Sequence, residues 1–342
     1  MDIHIVRDEA GLDLLATEWN SLLPGAVSDV PFLRHEYITT WWSTLGGGEW
    51  PAGELCTVVG RGQGGRLVGA APLFRTLTPG GAPALRFIGS REISDYLDLI
   101  VGPEALASFV EEVLTVLETE AWESLELDNV LEGSPTLPVV EAAARRRGWA
   151  TTRQRLKSAP VAGLEGGWEA YLSRLDRKNR HELRRKMRKI ESHPAGIEVR
   201  WTRPTQEGAA EVDIFLDLMT HDPAKARFLT PRMREYFRRL AFTGGTHGWL
   251  ELALMYVGGT PAAGYLIFAY RNRLWIYNSG LDPAFLALSP GWVLLGRVIE
   301  AAANAGMEAV DFLRGEETYK IQLGGVPRYL ERLQVQRVNR GQ

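Results

Sequence analysis

Apolar and polar positions follow one pattern in the first half of the chain, and this pattern occurs again in the second half. In the first half, a helical run at residues 34–45 ends in three glycines and leads to apolar strands at 55–59 and 66–74. A helix opened by Gly/Pro at 103–118 and a strand at 125–128 follow. Glycine is favoured just after a helix and proline in its first turn. The pattern predicts the order helix, strand, strand, helix, strand.

The second half repeats this order, with Gly244 and Gly245 at the end of its first helix. The predicted elements are a helix at 230–242, strands at 249–257 and 262–268, a helix at 290–305 and a strand at 309–311. A repeat of this length indicates a duplicated domain rather than a solenoid. We therefore predict domains at residues 1–160 and 161–342, joined near the Pro/Gly-rich stretch 156–167.

The connections between these elements predict the fold class. Neighbouring strands joined by tight turns pair antiparallel, whereas a strand–helix–strand unit needs a parallel crossover. Each domain is therefore expected to hold a mixed, mostly antiparallel sheet flanked by helices, which is an α/β (α+β) architecture.

Composition and charge bear on the class and location of the protein but identify no binding partner. The net charge of the 342 residues is −3, and no apolar run approaches the roughly 20 residues of a membrane-spanning helix. The N-terminus lacks the layout of a signal peptide. The single cysteine, Cys56, excludes an internal disulfide and is expected to be buried in a strand. We expect a cytoplasmic protein.

Two segments of the second half carry the strongest functional signal. Residues 309–320 read AVDFLRGEETYK, a short apolar strand that ends in a cluster of ionisable side chains, and residues 289–295 read SPGWVLL, a turn running into a helix. Together they resemble the signature of the CelD-like, cellulose-biosynthesis-type branch of the GNAT acyltransferase superfamily. The tandem organisation also resembles that of the FemAB-type aminoacyltransferases.

The resemblance implies a splayed sheet with an acyl donor, acetyl-CoA or another acyl-CoA, between two diverging strands. It further implies that the donor pyrophosphate binds main-chain N–H groups at a helix N-terminus, here at Ser289, Gly291 and Trp292. The acceptor is expected to be an amine on a small molecule or glycan.

Acyl transfer to an amine needs a base for the nucleophile and an acid for the leaving group. Asp311 and Glu316 are candidate bases, and Tyr319 is the candidate acid. Lys320 is a candidate for stabilising the phenolate or binding an anionic part of the cofactor, and Arg314 for holding a carboxylate or phosphate of the substrate. Arg314 and Lys320 could instead form ion pairs with Asp311 and Glu316, which would leave Tyr319 without a role.

The first half adds Asp95 and Tyr96 as candidate substrate-binding residues, from a segment that also resembles a CelD-family one. We expect the main site in the second half, walled partly by the first. The six histidines are scattered and none has a metal-ligand spacing, so no metal is assigned.

A basic segment runs from Arg177 to Lys189 and holds eight Lys/Arg and one Glu, a net charge of +7. Leu175, Leu183 and Met187 are spaced to seat it as a helix. Its cationic face is either a solvated surface or a binding surface for a polyanion, including tRNA.

Three functions remain open from the sequence. The first is N-acyl transfer from acyl-CoA to an amine. The second is FemAB-like transfer of an aminoacyl group from aminoacyl-tRNA, which the basic segment favours. The third is a non-catalytic GNAT-like module in polysaccharide or envelope assembly.

Overall fold

The computed structural model describes residues 1–50, 53–89, 91–205 and 209–337. The chain forms two compact units, one from Met1–Lys157 together with the chain from Tyr329 onward, the other Ser158–Arg328. Within the described ranges, no helix combines the length and the apolar character needed to cross a lipid bilayer.

The elements of the first unit are, in chain order, β1 (Asp2–Val6), α1 (Glu9–Asp13), α2 (Ala16–Leu22), α3 (His35–Leu45), β2 (Glu54–Leu55), β3 (Thr57–Arg61), β4 (Leu67–Ala71), β5 (Leu73–Leu77), β6 (Pro83–Phe87), β7 (Ile100–Val101), α4 (Leu106–Leu117), β8 (Ser124–Leu131), α5 (Thr136–Arg146) and β9 (Ala150–Ser158).

The second unit follows, and its elements are β10 (Val161–Gly163), α6 (Gly167–Arg174), α7 (Arg177–Glu191), β11 (Ile197–Thr202), α8 (Ala209–Thr220), α9 (Pro223–Phe228), α10 (Pro231–Thr246), β12 (Leu250–Val257), β13 (Thr260–Tyr270), β14 (Arg273–Leu281), α11 (Pro290–Asn304), β15 (Ala309–Asp311) and α12 (Thr318–Gln322). The last strand, β16 (Tyr329–Gln336), lies in the first unit.

The strands of the two units follow a common order. The second unit holds one sheet in the order β10-β15-β14-β13-β12-β11. The first unit holds two sheets, β1-β3-β4-β7 and β2-β5-β6-β8-β16-β9. Because Pro72 alone separates β4 from β5, these two strands together correspond to β13. Each unit contains one parallel pair that spans the crossover helix, β6 with β8 in the first unit and β14 with β15 in the second.

The predicted fold class, mixed sheets of mostly antiparallel strands flanked by helices, is confirmed. Cys56 is buried, as expected, and burial raises the pKa of its thiol to about 11. Residues 177–189 do lie in a helix, α7, whose buried side chains are Leu183, Met187 and Ile190. A Cβ on Gly296 would lie 2.8 Å from Leu183, so this glycine lets α11 pack closely against α7.

Three details of the expected organisation differ. Each half has more strands before its crossover helix than the pattern indicated, β6 and the two-residue β7 in the first half and β14 in the second. Gly244 and Gly245 lie inside α10 rather than after it, and a Cβ on Gly245 would meet the carbonyl of Pro204. The strand β16, which falls within residues 161–342, pairs antiparallel with β8, so a single cut at residue 160 omits its return to the first unit.

Candidate active site

The sheet of the second unit opens between β14 and β15. The two strands pair only where Arg273–Trp275 lie beside Ala309–Asp311, although β14 continues to Leu281. In the described part of the chain, the edge of β14 beyond Trp275 has no strand partner on this side. Main-chain groups at such an edge bind polar side chains or a ligand in place of a neighbouring strand.

The β13–β14 pair is irregular at the start of this gap. Leu266 lies opposite Asn278 and Ile267 opposite Ile276, so Tyr277 is an extra residue in β14. A bulge of this type bends its strand and changes the direction of the side chains that follow.

The two faces of the sheet carry different groups. A Cβ on Gly280 would lie 2.6 Å from the main-chain nitrogen of Met219 in α8, so this position faces α8. Asn278, two residues earlier, shares that face. Tyr265 and its cross-strand partner Ser279 lie on the opposite face, toward α11.

The first turn of α11 lies beside the gap. Its N-cap residue, Ser289, is in the left-handed region (φ 54°) and its side chain makes no capping hydrogen bond. The first bond of the helix runs from Val293 N to Ser289 O (3.1 Å). The N–H groups of Gly291 and Trp292 precede it and are therefore donors without an intrahelical partner, whereas Pro290 has no N–H.

Two lysines of α7 reach this turn. Lys186 Nζ lies 4.4 Å from the centre of the Trp292 ring, and Lys189 Nζ donates a hydrogen bond to the Ala287 carbonyl (2.7 Å). Positive charge next to free N–H groups at a helix start favours an anionic ligand.

A pair of tyrosines lies at the same place. The Tyr265 hydroxyl donates to the Gly291 carbonyl (3.2 Å), and Tyr319 packs against the core that contains Tyr265. Burial raises the pKa of both hydroxyls, and for Tyr319 the charge of Glu317 contributes further. Both tyrosines therefore keep their protons at neutral pH.

The Lys320 side chain is buried and contacts other groups of the chain. Its side chain is 3% exposed, and its Nζ donates to the carbonyls of Leu313 (3.1 Å) and Arg314 (2.7 Å) and pairs with Glu317 (3.0 Å). A Cβ on Gly315 would collide with this ion pair. These contacts hold the 313–317 loop through Lys320, and a role of Lys320 in binding the cofactor stays a prediction.

The other predicted residues of this segment differ in exposure. Asp311 is fully buried in β15, where it accepts a hydrogen bond from Leu313 N (2.8 Å). Arg314 is half-buried and Glu316 is exposed. Tyr319 and Gly291 thus both lie near Tyr265, whereas Asp311 supports the turn that leaves the strand.

Sequence reasoning did not find Lys225, a half-buried residue of α9. Its Nζ donates to Asn278 Oδ1 (3.1 Å), to Ser279 Oγ (3.3 Å) and to the Ser279 carbonyl. Burial lowers the pKa of Lys225, and the charges of Asp222 and Glu317 oppose this effect. The run Tyr277–Ser279, polar within an otherwise apolar strand, is the sequence signal that marks this place.

In the first unit, the equivalent gap is filled by the chain itself. The parallel pairing of β6 with β8 ends at Arg86 and Glu126. Farther along β8, the Asn129 carbonyl accepts from Leu97 N (3.1 Å). Asp95 and Tyr96, predicted to bind substrate, lie in this filling segment with 4% and 2% exposure.

Two carboxyl groups belong to this part of the first unit. Asp98 is buried and accepts hydrogen bonds from Leu99 N (2.7 Å) and Ser134 Oγ (2.7 Å), and burial raises its pKa to about 6. A Cβ on Gly102, before α4, would collide with the Glu104 carboxylate. This carboxylate would repel an anion at the start of α4.

Comparisons with known proteins agree with this architecture. Residues 177–321 match the family model of the Acetyltransferase (GNAT) domain. FemX has a similar fold, with a TM-score of 0.65 at 13% identity over 97% of each chain. The L-PGS of Bacillus licheniformis gives 0.57 at 12% identity over 98% of this chain and 93% of its own. No curated protein sequence matches.

A tandem GNAT protein from the clavulanic acid biosynthesis pathway gives a TM-score of 0.52 at 16% identity, over 97% of this chain and 98% of its own. Similarity at these identities establishes a tandem GNAT-like fold, and the second unit carries the match to the acetyltransferase domain. Assignment to the CelD-like branch stays a prediction.

Proposed function

We propose that the protein transfers an acyl group from acetyl-CoA or another acyl-CoA to an amine. The observation that carries this proposal is the open gap between β14 and β15 with the first turn of α11 beside it, in the unit that matches the acetyltransferase domain. In the reaction, a bond forms between the amine nitrogen and the acyl carbon, the carbon–sulfur bond breaks, and one proton passes from the amine to the thiolate.

The donor's phosphates would bind at the start of α11. The free N–H groups of Gly291 and Trp292 and the ammonium groups of Lys186 and Lys189 suit such a group. The position of Gly291 is also open, because a Cβ at this residue would have its nearest neighbours 3.7 Å away.

Tyr319 is the proposed proton donor, since its hydroxyl is protonated at neutral pH and makes no hydrogen bond to any of the described residues. Glu316, which is exposed, is the proposed acceptor of the amine proton, directly or through water. Asp311 and Arg314 would shape the loop that leads from β15 to Glu316 and Tyr319.

An aminoacyl-tRNA donor is the second candidate, because the exposed cationic side chains of α7 extend beyond the two lysines that reach α11. Arg184 and Arg185, for example, pair with Glu169 and Glu182 at the surface. If these cationic side chains bound the phosphates of a tRNA, the binding would weaken steeply with salt.

Calorimetric titration with acetyl-CoA, and separately with tRNA at two salt concentrations, tests the proposal. We expect saturable binding of acetyl-CoA, followed by thiol release when a panel of amines is added. Binding of tRNA alone would replace the proposal with the second candidate. Binding of neither donor would leave a non-catalytic module as the function.

A further inference from the structure

The Lys225 ammonium lies in the gap itself. It donates to Asn278 on the α8 face of β14, to Ser279 Oγ on the α11 face, and to the Ser279 carbonyl between them. A single nitrogen can reach both faces of a strand only from its edge. The edge it occupies is the one left open where β14 separates from β15.

This cation has no counter-ion in contact. Among the described residues, no carboxylate lies within 4.0 Å of Lys225 Nζ, and its three acceptors are neutral. Asp222 and Glu317 act on it electrostatically from beyond this distance, but Asp222 accepts hydrogen bonds from Ala224 N and Lys225 N at the start of α9, and Glu317 is paired with Lys320 (3.0 Å). A partly buried ammonium without an anion is costly unless a ligand supplies one.

Lys225 also approaches from the side opposite the donor site. The proposed donor contacts, Gly291 and Trp292, belong to α11, on one face of the sheet. Lys225 belongs to α9 and donates a hydrogen bond to Asn278, which lies on the α8 face. A molecule that enters from the α8 face and carries an anion would therefore meet this lysine.

We propose that Lys225 binds a carboxylate of the acyl acceptor, so that the acceptor is an amine that also carries a carboxylate, such as an amino acid or a peptide. This inference rests on the proposed acyl transfer. Asn278 supports the lysine, because its Oδ1 accepts from both Lys225 Nζ and Ser279 N (2.9 Å). The bonds to Asn278 and to the Ser279 carbonyl hold the ammonium in the gap, and the bond to Ser279 Oγ, the longest of the three at 3.3 Å, would give way to the acceptor's carboxylate.

A binding measurement tests the carboxylate site without relying on catalysis. N-acetylglycine and N-acetylglycinamide differ in one carboxylate, and neither has an amine that can be acylated. At constant ionic strength, we expect the wild-type protein to bind N-acetylglycine and not the amide. Lys225→Met is expected to lose about tenfold in affinity, in line with the loss of a charged hydrogen bond.

Lys157→Met, which removes an exposed lysine of the first unit, is the matched control and is expected to bind as the wild type does. Lys225→Arg keeps the positive charge. If this variant binds N-acetylglycine, the loss of affinity in Lys225→Met does not come from misfolding. Equal binding of N-acetylglycine by the wild type and Lys225→Met, or no binding by the wild type, would overturn the proposal. Titration with acetyl-CoA on the same samples reports the donor site separately.

A steady-state assay distinguishes acceptor binding from a role in the chemical step. With a dipeptide that has a free carboxylate, we expect Lys225→Met to raise KM about tenfold and leave kcat nearly unchanged. With the same dipeptide amidated, the variant and the wild type are expected to agree. A fall in kcat at constant KM would mean that Lys225 stabilises the reacting carbonyl instead, and the acceptor proposal would fail.

Discussion

The Tyr265 hydroxyl donates a hydrogen bond to the Gly291 carbonyl across 3.2 Å, and so joins β13 to the first turn of α11. This bond uses the proton of one of the two tyrosines at the candidate site. Among the described residues, no hydrogen-bond partner is found for the Tyr319 hydroxyl. Tyr319 is therefore the one whose proton remains available to a reacting group.

Tyr319→Phe is expected to lower kcat by about 10²–10⁴-fold, which is the usual contribution of a general acid. Its stability is expected to match the wild type, because the lost hydroxyl makes no hydrogen bond within the described part of the protein. Tyr265→Phe is the control, and we expect it to lose about 1 kcal/mol of unfolding free energy with its hydrogen bond. Urea unfolding and a thiol-release assay on both variants check this. Full activity in Tyr319→Phe would remove the acid from the mechanism.

Gly291→Ala tests the donor site with little structural change. The added Cβ would lie 3.7 Å from Leu281 Cδ2 and 3.7 Å from Tyr265 Oη, which is ordinary contact. The variant is expected to fold normally and to bind acetyl-CoA about tenfold less tightly, since a methyl group then covers the main-chain donors. Wild-type affinity by calorimetry would show that the donor does not approach this turn.

Two double variants of α7 separate the two donors. Lys186→Gln with Lys189→Gln removes the two charges that reach α11, whereas Arg184→Gln with Arg185→Gln removes two that pair with surface glutamates. For an acyl-CoA donor, we expect weaker binding in the lysine pair alone. Comparable losses in both pairs, measured with tRNA and diminishing at high salt, would instead support the nucleic-acid donor.

The sequence pattern was sufficient for local structure and for contacts between near neighbours. The helix at residues 34–45, the strand at 309–311 and the seating of α7 all depend on short-range spacing, and all are found. The pattern was insufficient where a partner is distant. The β16–β8 pairing joins Gln336 to Ser124, and no periodicity records it.

The candidate site shows the same limit. Tyr319 and Gly291 come from motifs that the sequence makes visible, and the structure brings them near each other through Tyr265. Lys225 lies 53 positions before Asn278 in a helix of six residues, so its place in the gap depends on tertiary structure. Asp95 and Tyr96 were recognised as a segment, but their burial follows from how that segment fills its own unit.

Asp98 predicts a dependence of stability on pH. Its pKa of about 6 in the folded protein exceeds the ordinary value of 3.8, because burial disfavours the carboxylate. The stability contributed by its protonated form is therefore fully present below pH 3.8 and is lost as pH rises through 6. Asp98→Asn keeps a neutral side chain at every pH. We expect the variant to gain up to about 3 kcal/mol relative to the wild type between pH 4 and pH 7, since each pKa unit corresponds to 1.36 kcal/mol.

Urea unfolding of both proteins at pH 4, 5.5 and 7 measures this difference, and every other titrating group cancels in the comparison. The direction distinguishes Asp98 from an ordinary surface carboxylate, whose lowered pKa makes the wild type gain stability as pH rises. Asp98 accepts hydrogen bonds from Leu99 N and Ser134 Oγ. In Asp98→Asn, the side-chain oxygen can accept one of these bonds, and the side-chain NH2 group can donate to Ser134 Oγ. A difference between the two proteins that stays constant from pH 4 to 7 would mean that Asp98 ionises in the folded protein as it does in the unfolded chain.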